Sequence, residues 1–346
     1  MIKLLDCTLR DGGYINDWRF GENAIPDMIQ CLEQTGVDIL ELGFLKNEPY
    51  QRDRTVFNEM GQITALISSK RTGTDYAAMI EVFSPVSVES LQPRDESTVD
   101  IIRVIVWKDR HDENNNVVDA LEEGYEYCRH IVEKGYKLCV QPARVDQYSD
   151  VEFVNMLKMF EKLDPMAIYV VDSWGTMQSG DIMHYVRLAD QTLKAGIAIG
   201  YHGHNNMLQA FGTAVEFVNS GIDRTLIVDG SIYGMGRCAG NLNLEIMARY
   251  LNTNFGKAYG LEPMYNIYEE YIKDIYKQHK WGYSIPYFLT AIYGCHPNYA
   301  WYLCTERGLE STLLEQVLLR LNKDDKILYS KEKAKKYLGE VLAGLQ

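Results

Sequence analysis

Met1-Ile-Lys-Leu-Leu-Asp6-Cys7-Thr8-Leu9-Arg10-Asp11-Gly12-Gly13 opens the chain as an apolar run that breaks into a charged, glycine-containing turn. Seven further runs of the same kind follow Ile2–Cys7: Asp38–Phe44, Ala77–Phe83, Ile101–Trp107, Tyr136–Gln141, Ala167–Asp172, Gly196–His202 and Arg224–Asp229. Apolar residues at helical spacing fill most of the gaps, over Ile25–Gln34, Val117–Glu133, Val151–Leu163, Ile182–Lys194 and Met207–Asn219, with Leu242–Leu251 after the last run. Strands that are nearly continuous in Val, Ile and Leu are parallel strands covered on both faces. Eight strand–helix units in about 255 residues match a closed (β/α)8 TIM barrel in count and length. The rival is an open doubly wound sheet, whose first turn reads GxGxxG; here the first strand runs into Thr8-Leu9-Arg10-Asp11-Gly12-Gly13 instead.

The 346 residues exceed one ordinary domain, and the composition changes after about Asn254. Tyr259, Tyr265, Tyr268, Tyr271, Tyr276, Trp281, Tyr283, Tyr287, Tyr293, Tyr299, Trp301 and Tyr302 crowd a helical segment. The division expected is a catalytic barrel over 1–255 and a helical C-terminal appendage over 256–346, packed on the barrel or a partner subunit. The charged Lys323–Lys336 stretch reads as a solvated helix or turn. A net charge of −13 repels phosphate polyanions and anionic bilayers, so nucleic acid and membrane are not expected partners. Seven scattered cysteines without a CxxC pair, and no basic and apolar leader, point to a reducing cytoplasm.

The chemistry concentrates on Tyr201-His202-Gly203-His204 at the end of the seventh run. Side chains at i and i+2 of a strand share a face, so the two imidazoles can grip one ion; an HxH alone equally suits hydrogen-bonded core histidines. Support comes from Arg10-Asp11, just past the C-terminal end of the first strand, where barrels place their active sites. Strand eight alone separates strands seven and one in a closed barrel, which leaves their tips about 10 Å apart. Asp11, His202 and His204 then form a two-imidazole, one-carboxylate site with open positions, suited to Mn(II), Fe(II), Co(II) or Zn(II), and to Mg(II) with water completing the shell. Such an ion can chelate a 2-oxo acid and stabilise its enolate, with Arg10 beside the oxyanion. The structural alternative for Arg10 is a tie between barrel loops.

Asp6-x-Thr8-Leu9-Arg10-Asp11-Gly12, Glu41-Leu42-Gly43-Phe44, Asp172-Ser173-x-Gly175, His202-x-His204-Asn205-Asn206 and Gly234-x-Gly236 to Gly240-Asn241 occur in this order over roughly residues 1–255. Together they resemble the HMG-CoA-lyase-like, or DRE-TIM, metallolyases, whose members include 4-hydroxy-2-oxovalerate aldolase, HMG-CoA lyase and the isopropylmalate and citramalate synthases. The resemblance implies a TIM barrel and a divalent metal, Mn2+ or Mg2+ foremost and Zn2+ or Co2+ as alternatives. It places that metal on Asp11, His202 and His204, with Asn241 as a ligand or neighbour and Arg10 on the enolate. His202 to Asn206 and the compact Gly234–Asn241 loop look most like the hydroxy-oxovalerate aldolases. Those carry an acid–base histidine three residues after the metal aspartate, a position held here by Tyr14. Tyrosine, with an ordinary pKa near 10, is a poor neutral-pH base and serves equally as packing or as a hydrogen-bond donor.

Cys238 aligns with the catalytic cysteine of the HMG-CoA lyases, and Arg237 beside it is a means of activating the thiol; an inert buried cysteine is the alternative. Gly13-Tyr14 replaces the Glu-Gln pair of the acetyl-CoA-condensing synthases. Glu41, a carboxylate in an apolar strand, needs a cation such as Arg10. Asp172, Gln141, Arg144, Gly236 and Cys238 are candidates for holding substrate, and His296 in the aromatic appendage is a candidate lid and acid–base group. The leading expectation is a metal-dependent aldolase joining pyruvate or a related 2-oxo acid to an aldehyde. An acyl-CoA lyase or Claisen-type synthase, and a metal-binding barrel acting as a non-catalytic scaffold, are the alternatives. A homodimer or higher homo-oligomer is expected, and the resemblance admits an aldehyde dehydrogenase partner that no motif here requires.

Overall fold

The computed structural model describes residues 1–67, 70–111 and 117–344. Eight parallel strands form its centre: β1 (Ile2–Asp6), β2 (Ile39–Leu45), β3 (Asp75–Glu81), β4 (Ile101–Val106), β5 (Lys137–Pro142), β6 (Ala167–Asp172), β7 (Ala198–Gly203) and β8 (Leu226–Gly230). Each pairs with its neighbours in sequence, and β1 pairs both with β8, from Ile2 opposite Leu226 to Asp6 opposite Gly230, and with β2, Leu5 opposite Ile39. The sheet is therefore a ring with no exposed edge, and all eight C-terminal ends share one rim. A two-residue strand, Val56–Phe57, adds to the outer end of β2.

Helices α1 (Ala24–Thr35), α2 (Met60–Thr64), α3 (Leu121–Glu133), α4 (Asp150–Phe160), α5 (Ser179–Thr192), α6 (Ala210–Val218) and α7 (Leu244–Phe255) surround the ring. The helix expected over Val117–Glu133 starts four residues later than its spacing suggested. Val117–Asp119 instead pairs antiparallel with Asp109–His111, as two adjacent β-branched residues favour.

Strand residues alternate between two cores. Leu4, Leu40 and Ile102 belong to the large layer between strands and helices, whereas Leu5, Ile39, Ala77, Ile101, Cys139, Ala167, Ala198 and Ile227 fill the ring itself. A period of two fixes what lies above this plug. Glu41 follows Ile39, Arg103 follows Ile101, Gln141 follows Cys139, and Asp229 follows Ile227, so these polar groups project inward toward the C-terminal rim. His202 and His204 continue the inward register of Ala198.

Beyond the barrel lie α8 (Leu261–Ile267), α9 (Lys273–Gln278), α10 (Ile285–Ile292), α11 (Asn298–Ala300), α12 (Ser311–Arg320), α13 (Lys323–Ile327) and α14 (Lys331–Ala343), a C-terminal helical appendage. Met264 and Ile267 of α8 and Trp281 join the barrel's outer core. Leu289, Tyr299, Leu303, Leu314, Leu318 and Val341 form a second core with their neighbours. Within Lys323–Lys336 the helix α13 buries no residue and Ala334 alone is buried; the apolar stripe of α14 lies mostly beyond it. Ala334, Tyr337, Leu338 and Val341 recur at i, i+3, i+4 and i+7, and that stripe of α14 is buried beneath its lysines. Among the described residues no helix is long and apolar enough to cross a membrane.

Candidate active site

The turn after β1 carries the site's first residues. Trp18 donates its indole N–H to the Arg10 carbonyl at 2.7 Å, and its ring occupies the space a Cβ on Gly13 would need, 2.0 Å away. Only glycine fits there, so the Asp11-Gly12-Gly13 turn folds tightly and directs Arg10 and Asp11 over the ring. Asp11, His202 and His204, all buried, present donor atoms within 4.8 Å of one another. Each imidazole Nε2 stands 3.6 Å from one oxygen of Asp11, His202 from Oδ2 and His204 from Oδ1.

Second contacts set both tautomers. His202 Nδ1 donates to Asp229 Oδ2 at 3.0 Å and His204 Nδ1 donates to the Asp172 carbonyl at 2.8 Å, which leaves a lone pair on each Nε2. His204 Nε2 is a buried polar atom without a hydrogen bond, as is Asn241 Oδ1, while Asn241 Nδ2 donates to Asp11 Oδ1 at 3.1 Å. Orphaned lone pairs beside a carboxylate fit a divalent cation. Burial lowers the pKa of His202, keeping it neutral as a ligand must be. Burial also opposes the charge on Asp11, but the Arg10 guanidinium beside it outweighs that and holds the carboxyl well below its ordinary range.

A buried chain of ion pairs lies beneath. Arg10 pairs with Asp11 and, through Nε at 2.8 Å, with Glu41. Arg103 Nη1 stands 2.8 Å from Glu41 as an ion pair without hydrogen-bond geometry, and Arg103 also reaches Asp229, the carboxylate that orients His202. Burial raises the Asp229 pKa, but Arg103 and His202 overcome it and the group is held low. Arg103 and Asp229 were not among the site residues expected from sequence. The signal was present in Ile101-Ile-Arg103-Val-Ile-Val106, where a cation sits in a buried strand and so requires anionic partners.

The remaining candidates divide. Gly236 touches the site by absence: a Cβ there would meet Asn241 Nδ2 at 2.3 Å. Asp172 turns its carboxylate to the backbone N–H groups of Thr176 and Met177, at 2.9 and 3.3 Å, and burial lifts its pKa to about 7. Gln141 is buried inside the ring with Nε2 unpartnered. Tyr14, Cys238 and His296 line a cavity of about 1890 Å3 between the barrel mouth and the appendage, with Arg144, Trp174 and Arg237. The triad lies just behind this wall: the Arg237 N–H is 3.5 Å from Asp11 Oδ1. Burial pushes the Cys238 thiol up to about 12 against the pull of Arg237, so it is not an activated thiolate. Burial likewise raises the Tyr14 phenol far above neutrality, whereas burial and then Arg237 and Arg144 bring His296 down to about 3.

Residues 1–269 match the HMGL-like family. A 4-hydroxy-2-oxovalerate aldolase from Bacillus cereus (strain ATCC 10987 / NRS 248) is 24% identical over 255 residues, 72% of this chain and 70% of the relative. An oxaloacetate decarboxylase from Mycobacterium tuberculosis (strain ATCC 25618 / H37Rv) is 21% identical over 256 residues, 72% of this chain and 69% of that one. The fold matches the HMG-CoA lyase of Bacillus subtilis with a TM-score of 0.59 at 14% identity, covering 82% of this chain and 94% of that chain. It also matches the carboxyl transferase domain of Rhizobium etli pyruvate carboxylase, with a TM-score of 0.68 at 16% identity over 99% of this chain and 61% of that chain. The chain belongs to the HMGL-like family and is a carbon–carbon lyase.

Proposed function

We propose that this member of the HMGL-like family is a divalent-metal-dependent aldolase, joining pyruvate or a related 2-oxo acid to an aldehyde or cleaving the product. The observation that carries the reading is the buried Asp11–His202–His204 group with the Arg10 guanidinium against its carboxylate. Those three residues, with Asn241 Oδ1, would hold the ion, and Mn2+ or Mg2+ suits the mixed oxygen and nitrogen set, with Zn2+ or Co2+ as alternatives. When bound, the ion supplies Lewis acidity toward the keto oxygen and carboxylate of the oxo acid.

The chain's own groups do the rest. Glu41 fixes Arg10 through Nε, leaving the other face of the guanidinium to donate to an oxyanion developing beside Asp11. Tyr14 keeps its proton at neutral pH and acts as a hydrogen-bond donor to the aldehyde oxygen rather than as a base. The aromatic appendage supplies one wall of the cavity over the barrel mouth. The seven free cysteines accord with a cytoplasmic setting.

The test is deuterium exchange into the pyruvate methyl group with enzyme, Mn(II) and D2O, followed by a panel of aldehydes. Exchange abolished by chelator and restored by metal supports the proposal. Metal binding without exchange from any 2-oxo acid would overturn it.

A further inference from the structure

The cavity wall holds a second cluster whose polarity the aldolase reading leaves unused. His296 Nδ1 accepts the Asn298 N–H at 3.1 Å, so a neutral imidazole carries its proton on Nε2. That Nε2 faces Arg237 Nη2 at 3.4 Å, so two donors meet with no acceptor between them. Arg144 adds a third. Its guanidinium lies flat on Trp174, 3.3 Å from the ring centroid, and Asp146 takes Nε and Nη2 at 2.8 and 2.7 Å. Its Nη1 is buried without a partner, on a side chain only 5% exposed. The His296 ring sits edge-on to the same Trp174 at 4.8 Å, so Arg144 and His296 both pack on Trp174 in the cavity wall. Among the described residues Arg237 has no carboxylate at salt-bridge distance, although the chain carries 48 acidic against 35 basic residues. A partly buried arginine left unpaired in so acidic a protein, next to two unmatched donors, is an arrangement lacking its anion.

We infer that Arg237, His296 and Arg144 bind an anionic group, carboxylate or phosphate, carried by the acceptor aldehyde at the end away from its carbonyl. The inference rests on the aldolase reading for what the anion is attached to. The geometry gives the path: the Arg237 backbone touches Asp11, while its side chain passes over the Tyr14 ring, 5.7 Å from the centroid, to reach His296. A substrate spanning that distance has its carbonyl near the metal ligands and its charge under the appendage. The oxo acid is served elsewhere, by Arg10 and the metal ligands, so the second cluster is left for the other reactant.

The experiment compares acceptors with Mn(II)-loaded enzyme and pyruvate: succinic semialdehyde and glyceraldehyde 3-phosphate against their uncharged counterparts butanal and glyceraldehyde. At least one charged acceptor is expected to exceed its neutral counterpart about tenfold or more in kcat/KM, and the favoured pair tells carboxylate from phosphate. In Arg237→Gln that ratio falls toward one, and Arg237→Lys restores part of it. Reading a ratio within one variant cancels any general loss of activity. Calorimetric titration of metal-free enzyme with succinate and with inorganic phosphate, with and without Arg237→Gln, measures the anion site without turnover. Pyruvate exchange with equal use of charged and neutral acceptors, and no Arg237-dependent anion binding, would overturn the inference while leaving the aldolase reading intact. Arg237-dependent anion binding with no pyruvate exchange would uphold the site and sink the aldolase reading.

Discussion

Replacing Arg103 by Met removes a guanidinium that two buried carboxylates share and leaves a side chain of similar length to fill the ring. Glu41 and Arg103 are fully buried and Asp229 is 2% exposed, so water cannot take over the lost contacts. Removing one partner of a buried pair costs about 3–5 kcal/mol. Glu41 retains Arg10 and Asp229 retains His202, which argues for about 3 kcal/mol, still a large part of the ~5–15 kcal/mol that holds an ordinary domain folded. Urea denaturation at pH 7 reads this as a lower midpoint with little change in slope.

The pH dependence separates an electrostatic cause from a packing one. In the native protein Asp229 is held below its ordinary pKa, so its contribution is present above the unfolded value of about 3.9 and is lost as pH falls through the lower folded value. Without Arg103 the burial that already opposes its charge dominates and the folded pKa moves above 3.9. The variant's Asp229 then stabilises below that value and ceases to do so as pH rises. The stability gap between the two proteins should narrow as pH falls from 7 through the variant's raised Asp229 pKa. A loss under about 1 kcal/mol, or a gap that stays constant on acidification, would refute the ion-pair reasoning.

His204→Ala removes a ligand with an otherwise orphaned Nε2; metal content by elemental analysis, and the rise in Tm on adding Mn(II), should both fall sharply. Tyr14→Phe should lower kcat/KM about 10-fold or more while leaving the pH–rate profile unmoved, since the phenol titrates far above neutrality; a displaced limb would restore Tyr14 as a titrating base. Gly13→Ala forces a methyl against the Trp18 ring and should cost about 1–3 kcal/mol by thermal or urea unfolding. Mn(II) should bind several-fold more tightly in the presence of pyruvate, measured by paired titrations; equal affinity would mean that the two do not offset one another's charge in the site.

The ring, the strand ends and the HxH pair were legible because each follows from local pattern. Apolar runs gave the strands, and a period of two placed His202 and His204 on one face. Once the ring closes, Asp11 must meet them. The same rule extends to Arg103 and Asp229, which share the inward register of Ile101 and Ile227; they escape a reading that looks for ligands at strand tips only. Asp172 shows the converse. It stands one residue past inward-facing Val171, and its carboxylate accepts the backbone N–H groups of a loop while its carbonyl accepts His204. The meeting of Arg237 with His296 has no local signature. Fifty-nine residues separate them, and their contact depends on how the appendage lies across the barrel mouth, which no periodicity encodes.

The charges of the buried network indicate what the site is built to receive. Asp11, Glu41 and Asp229 set three carboxylates against the two guanidiniums of Arg10 and Arg103, one excess negative charge among these five groups. A divalent ion alone would convert this into one excess positive charge, still unbalanced in a region from which water is largely excluded. An oxo acid carboxylate arriving with the ion cancels it. The binding of metal and oxo acid should therefore be mutually reinforcing, by the same factor in either order, because each removes a desolvated charge that the other leaves behind. Enolate formation would then add a negative charge next to Arg10, which keeps donors beyond those engaged by Glu41 and Asp11.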